Sequence, residues 1–258
     1  MVLGLVAGLT FDVRSPQALV LPMTMLMVYP MLVNFRVREA LDLTDGKAIG
    51  LAMFLDFIVL PAVAWGLALA FFSGEPGLFV GMVLAGLFPT SGMTISWTGF
   101  AGGNVTAAVK MTVIGLIAAS LLAPVYLLVR AGAVVEVDFL EVLKTVVFVV
   151  AIALKAKMIA SDPALVLRIL GPLMLFYALD YIIATVVGKR LLGRGGAIAV
   201  VYGTVMRNLS IALGIAMTAF DPEAALLLAA AYIVQVQSAA WYVKATNRVF
   251  GAAEAPVV

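Results

Sequence analysis

Phe88-Pro-Thr-Ser-Gly-Met-Thr-Ile-Ser-Trp97 sets a proline, a glycine and four hydroxyls inside a segment otherwise apolar enough to cross a bilayer. Proline lacks the N–H and clashes with the preceding turn, so a helix running through this stretch is expected to break near Pro89. Inside hydrocarbon, broken backbone survives only where it is buried in protein or lines a polar cavity. Secondary transporters build their midplane binding sites from such discontinuous helices. The stretch therefore points to an integral membrane protein whose site lies at an interrupted helix.

Composition agrees. Hydrophobic residues make up 64% of the 258 and charged residues 12%, whereas ordinary soluble domains carry about 25% charged residues. A soluble chain this apolar would expose patches that aggregate. The chain contains neither Cys nor His, which removes disulfides, thiolate nucleophiles and imidazole bases. Zinc would be left with carboxylates alone, which rarely make a zinc site. Hydrolases of the Ser-His-Asp or Cys-His type and zinc intramembrane proteases are thereby excluded, and no acid has a partner at catalytic spacing. An enzyme is not expected, nor any cofactor or resident metal. The formal charge of +2 is too small to indicate nucleic acid. No glycine-rich phosphate loop followed by Lys-Ser/Thr is present, which argues against ATP-driven transport by this chain alone.

Hydropathy gives eight spans, at 16–35, 48–72, 77–97, 104–129, 139–159, 164–187, 196–220 and 222–243, each near the ~20 residues a bilayer requires. Short links such as Ser73-Gly-Glu-Pro76 and Ala101-Gly-Gly103 leave no room for a soluble domain. The stub at 2–10 is apolar but too short to span, and it lacks the basic start of a signal peptide. The loop 36–47 holds three basic residues and is placed in the cytoplasm. A single crossing at 139–159 would put Lys189, Arg190, Arg194, Lys244 and Arg248 outside, whereas an even number puts them all inside. The second arrangement is the one bilayers favour, so a re-entrant or partial hairpin is expected there.

A faint internal repeat runs through the chain. Leu55-Asp-Phe-Ile-Val59 recurs as Leu179-Asp-Tyr-Ile-Ile183, each with its acid inside an apolar span. Each is followed by a span with a polar interruption, Pro89–Thr98 in the first case and Met206-Arg-Asn-Leu-Ser210 in the second. A turn and one further span follow both, beginning near Asn104 and near Asp221. Duplicated halves of this kind are common in transporter folds.

These residues resemble a known family. Leu26-Met-Val-Tyr-Pro-Met-Leu-Val33, Pro89-Thr-Ser-Gly-Met-Thr-Ile-Ser-Trp97, Gly103-Asn104 and Leu122-Ala-Pro124 look like the bile acid:sodium symporter superfamily, to which arsenite-efflux transporters also belong. Arg207-Asn-Leu-Ser-Ile-Ala-Leu213 is similar to that family's second crossover helix. The resemblance runs from about Ser15 to Val243. It implies an all-α polytopic fold of up to ten helices in two inverted repeats, with two broken helices crossing at the midplane. The corresponding units here are 1–130, with its break near 89–92, and 131–258, with its crossover near 203–213.

The match to the family's sodium sites is partial. Thr94 and Thr112 fall at matching positions, but Ile95 stands where an Asn is expected, Gly203 where a Glu is, and Arg207 where a Gln is. An oxygen cage without its carboxylate binds sodium poorly, so coupling by another route is expected. The arsenite branch relies on a Cys in the first broken helix. Thr90 occupies about that position here, so a thiolate route is closed.

Asp56, Lys110, Asp180 and Arg207 lie deep in predicted spans, where an unpaired charge costs a few kcal/mol or more. Two acids and two bases can pair internally, which would make them structural. Alternatively they serve ion coupling together with Thr112, Lys110 being suited to a proton role because burial readily changes its protonation. Lys110 and Thr112 cannot both point squarely into one cavity, being two residues apart on a helix. Arg207 offers a planar fork suited to carboxylates and oxyanions, and with Asn208 it reads as an anion-binding pair. Thr90, Ser91 and Thr94 are expected to line the substrate cavity, unless they simply bond their own helices. Of Gln235 and Gln237, at most one faces a polar interior. Asn104 is expected to cap the helix that follows it.

The expectation is thus a multi-pass protein of the cell membrane. It would move a small organic or oxyanionic solute by alternating access, with a proton or sodium as possible coupling cation. The alternatives are metalloid efflux by a Cys-free route, or a truncated relative that no longer transports.

Overall fold

The computed structural model describes residues 43–131, 163–220 and 222–252. The predicted spans at 16–35 and 139–159 lie outside these residues, as does the re-entrant hairpin. Among the described residues all regular structure is helical. After a 3-10 turn at Leu43–Asp45 come α1 (Gly46–Phe72), α2 (Pro76–Leu87), α3 (Met93–Phe100), α4 (Val105–Ala131), α5 (Pro163–Leu191), α6 (Arg194–Val205), α7 (Leu209–Ala219) and α8 (Pro222–Phe250). Four stretches are long and apolar enough to cross a membrane: Gly46–Phe72, Leu167–Leu191, Arg194–Ala216 and Glu223–Phe250.

The interruptions fall where the sequence places them. α2 stops at Leu87 and α3 starts at Met93, with Pro89 between them; α6 stops at Val205 and α7 starts at Asn208's cap. α2 starts on Pro76, whose missing N–H is one that a first turn leaves unbonded anyway. Asn104 caps α4 as expected, its side-chain oxygen accepting from the Ala107 N–H at 3.0 Å.

Polar contacts fix which helix ends lie together. The Asn104 N–H donates to Gly195 O (2.9 Å), and its side-chain amide donates to Asp45 Oδ1 (2.8 Å). Arg194 donates to Gly102 O, Gly251 O and Asn247 Oδ1, while Lys189 donates to Val249 O at 2.8 Å. At the opposite end Arg168 pairs with Glu75. Hence α1, α4 and the α6–α7 pair leave the first end, while the α2–α3 pair, α5 and α8 return to it. Lys47 shares that end with Lys189, Arg190, Arg194, Lys244 and Arg248, the same-side arrangement that basic-residue bias favours.

The interrupted helices are the innermost. Every residue from Gly77 to Thr90 except half-buried Phe79 is buried, and so is every residue from Ala197 to Arg207. A helix that is apolar on all sides belongs inside a bundle. α1, α4, α5 and α8 pack around them. Outward faces remain apolar, with Phe54, Ile58, Leu167 and Ile182 each more than half exposed, as expected of a surface that meets lipid rather than water. Contact with the inner helices is close: a Cβ on Gly81 would stand 2.9 Å from Ala224 O, so α2 and α8 meet nearly backbone to backbone.

Candidate functional site

The two helix breaks meet. The Asn208 N–H donates to Phe88 O at 3.0 Å, so a donor left over at the start of α7 satisfies a carbonyl left over at the end of α2. The Asn208 side-chain oxygen also caps α7, accepting from the Ile211 N–H at 3.3 Å.

Arg207 clamps this crossing. Its side chain is fully buried. Nη1 donates to Asp56 Oδ1 at 2.5 Å, and Nη2 donates to Gly86 O and, at 3.4 Å, to Asp56 O. Gly86 O belongs to the last turn of α2, where carbonyls lack helical partners and the macrodipole is negative. One planar fork therefore ties α1 and α2 to the second break, a geometry that a lysine's point charge does not reproduce. Arg207 Nε has no partner among the described residues.

Asp56 sits in a π-helical turn, Leu55–Val59. Such turns are frequent at functional sites, and this one covers the first copy of the repeated pentapeptide. Gln235 completes the arrangement from α8: its amide donates to Arg207 O at 3.3 Å, and its carbonyl accepts from the Tyr177 hydroxyl at 2.9 Å. Gln237 is exposed, so Gln235 is the inward-facing member of the pair.

On the first break, Thr90 has φ +30° and is fully buried. A β-branched residue at positive φ carries strain on the order of 1–3 kcal/mol, which persists only where the surroundings enforce it. Its hydroxyl, like that of Ser91, has no hydrogen-bond partner among the described residues. Thr90 lies against Gly115 of α4, where an added Cβ would stand 2.7 Å from Thr90 Oγ1. Thr94 is buried as well, its hydroxyl accepting from the Ser91 N–H at 3.3 Å.

The remaining candidates spread out. The Thr112 hydroxyl is buried and donates to Ala108 O, one turn earlier on its own helix, at 2.8 Å. Lys110 does not pair with an acid at the crossing: its Nζ donates to Thr44 Oγ1 (3.2 Å) and Asp45 Oδ2 (3.3 Å) at the basic end. Of the expected internal pairs, Arg207–Asp56 forms, whereas Asp180 is fully buried with no hydrogen bond to either carboxylate oxygen among the described residues. Asp180 nonetheless shares the electrostatic neighbourhood of Arg207 and Asp56.

The candidate site thus brings Phe88, next in the chain to Pro89 and Thr90, against Asn208, with Arg207 bonded to Asp56 and Gly86 O, and Lys110 apart. Tyr177, Asp45 and the Gly86 carbonyl were not picked out from sequence. Tyr177 leaves no signal beyond standing three residues before Asp180. Asp45 lies in a short polar turn, and a main-chain carbonyl leaves no mark on sequence at all.

The model of the Sodium Bile acid symporter family matches residues 21–192. Over 102 residues the chain is 30% identical to "Uncharacterized protein YbaS" of Bacillus subtilis (strain 168), a match covering 40% of this chain and 33% of that protein. The chain thus spans about a third of the length of the curated relative it matches.

Proposed function

The chain belongs to the Sodium Bile acid symporter family, and from that premise we propose that it moves a small organic or oxyanionic solute across the membrane by alternating access. It is embedded in the membrane. The observation that carries the reading is the meeting of two interrupted helices at their breaks, joined from Asn208 to Phe88 at 3.0 Å. A site built from the breaks of two separate elements is reshaped when those elements move, which is what alternating access requires.

Thr90 and Ser91 supply the solute contacts from the first break, having buried hydroxyls not used by the fold among the described residues. Thr94 stands one turn further on. From the second break Arg207 contributes its Nε–H, unpartnered among the described residues, and Asn208 its position beside the first break, a donor that suits an acceptor oxygen of the solute. Coupling by a route other than the usual sodium sites is supported by Ile95, Gly203 and Arg207, which place no carboxylate where an alkali cation would need one.

We read 1–130 and 131–258 as two repeats of opposite orientation. α1 and α5, which carry the two copies of the Leu-Asp pentapeptide, run in opposite directions. The same holds for the interrupted pairs α2–α3 and α6–α7, and for α4 and α8.

Uptake of a panel of labelled organic anions into vesicles containing the purified chain tests the reading. Thr90→Val removes the hydroxyl and keeps the shape, while Gln237→Leu alters an exposed side chain. Uptake lost in the first and kept in the second, at equal insertion, is expected. Equal uptake by both variants, or none by the unaltered chain across the panel, would sink it.

A further inference from the structure

Asp180 is fully buried on α5, and neither of its carboxylate oxygens has a hydrogen-bond partner among the described residues. The Thr204 hydroxyl stands beside it but donates to Val201 O at 3.0 Å. Its electrostatic neighbours are Arg207 from the second break, Asp56 from α1, and Tyr177 and Tyr181 from its own helix. From α8 come the neutral Gln235, behind Tyr177, and Tyr242, stacked on Tyr181. Arg207 is already paired with Asp56 at 2.5 Å. Asp56 therefore takes the one nearby guanidinium among the described residues, and the cluster carries one negative charge too many if both acids are ionised. An uncompensated charge in such surroundings is costly, and a carboxylate with no donor has nothing to offset it.

A row of hydroxyls leads from this group to the basic end of the molecule. α5 and α8 run parallel, in register. Tyr177, on the far side of Asp180, donates to Gln235 (2.9 Å); toward the basic end the Tyr181 ring stacks on Tyr242 (centroids 4.4 Å apart), and the Thr185 and Tyr242 hydroxyls share a hydrogen bond of 2.5 Å. Lys189 then reaches Val249 O. The hydroxyls of Tyr181 and Tyr202 are buried and unpartnered among the described residues. They lie beside Ser238 and Thr246, whose own protons go to helix carbonyls at 2.9 Å, leaving their oxygens free to accept.

We propose that Asp180 holds an exchangeable proton, reached along the α5–α8 hydroxyl seam, and that this proton is the coupling ion of transport. One carboxylate oxygen gains the proton to give the neutral acid, and release restores a carboxylate facing Arg207. In that ionised state Asp180 competes with Asp56 for the guanidinium and loosens the clamp on Gly86 O, which links the proton to the crossing of the two breaks. The coupling role rests on the transporter reading; occupancy by a proton does not.

Infrared spectroscopy of the full chain in lipid vesicles tests the proposal by reading the C=O stretch of a protonated carboxylic acid. The band is expected in the unaltered protein, shifted by 13C-aspartate and by exchange into D2O, lost in Asp180→Asn and indifferent to replacing potassium with sodium. Tyr181→Phe should slow its deuterium exchange. Where Asp180→Asn does not fold, Asp180→Glu serves, the band then following 13C-glutamate instead. A missing band, or one that persists in Asp180→Asn, overturns the proposal, and displacement by sodium overturns it in favour of an alkali cation. A pH-sensitive dye in the same vesicles reads coupling: adding the transported anion should change the lumenal pH, and Asp180→Asn should abolish that change. Uptake with no pH change removes the coupling role. An Asp180 proton in a chain that moves none of the panel leaves the proton site standing and removes the transporter reading.

Discussion

Asn208 donates its backbone N–H to the carbonyl of Phe88 at 3.0 Å, so two helix breaks far apart in sequence satisfy one another. A broken helix in hydrocarbon exposes groups that lipid cannot bond. Here each break supplies part of what the other lacks, and the Arg207 side chain adds a bond to Gly86 O. The crossing is therefore the weakest point of the two helices taken alone, yet it is cross-linked to α1, α2 and α8 through Arg207 and Gln235.

Removing one partner of the Arg207–Asp56 pair is predicted to cost about 3–5 kcal/mol, because the other charge stays buried and uncompensated. Asp56→Asn with Arg207→Gln should recover a large part of that loss, whereas Arg207→Lys should not, since a point charge cannot bond Asp56 and Gly86 O together. Thermal unfolding in detergent of the unaltered chain, Asp56→Asn, Arg207→Gln, the double variant and Arg207→Lys checks this. Equal stability of Arg207→Lys and the unaltered chain would contradict it.

Gly115→Ala should strain the first break. The new Cβ would stand 2.7 Å from Thr90 Oγ1, so Thr90, already at positive φ, or α4 must shift. Overpacking of this kind costs about 1–3 kcal/mol. Gly50→Ala, at a site with no neighbour within 4 Å, is the control. A lowered unfolding temperature in the first and not the second is the expected pattern.

Gln235→Leu leaves the Arg207 carbonyl and the Tyr177 hydroxyl without their partner, and each buried unpaired group costs about 1–3 kcal/mol. Gln237→Leu falls on an exposed position of the same helix and should be nearly silent. Comparing the two unfolding temperatures checks whether α8 sits in this rotation, since a turned helix would reverse the ranking.

Lys110 and Asp45 form an ion pair whose side chains are 2% and 19% exposed. Its position at the basic end, where Asn104 also bonds Asp45, predicts a staple between the start of α1 and α4. Lys110→Met and Asp45→Asn should each lower stability, Asp45→Asn the more because it leaves a buried ammonium without its carboxylate, with the double variant no worse than Asp45→Asn. Additive losses in this double-mutant cycle would show that the two do not interact.

Much of the site was legible in sequence because it rests on local chemistry. Pro89 cannot continue a helix, Asn104 and Asn208 are good caps, and four ionisable residues in apolar spans had to be accounted for. Partner choice was not legible. Lys110 and Arg207 looked equally able to meet Asp56 or Asp180, and only the packing of α1 against α6 decides that Arg207 takes Asp56 while Lys110 reaches Asp45. Nor could sequence tell Gln235 from Gln237, because both faces of α8 are otherwise apolar. The Gly86 carbonyl and the strained Thr90 backbone belong to the main chain, where side-chain identity leaves no trace. The expected spans at 48–72 and 196–220 match α1 and the α6–α7 pair to within a few residues, since apolar length is itself the physical requirement.

The most direct test of the central claim is ligand-dependent thermal stabilisation of the purified chain, across organic anions and arsenite, in sodium and in potassium. The account predicts that an organic or oxyanionic solute raises the unfolding temperature equally in both salts, and that Thr90→Val abolishes the gain. A well-folded sample that no ligand stabilises, or one stabilised only in sodium, would contradict it.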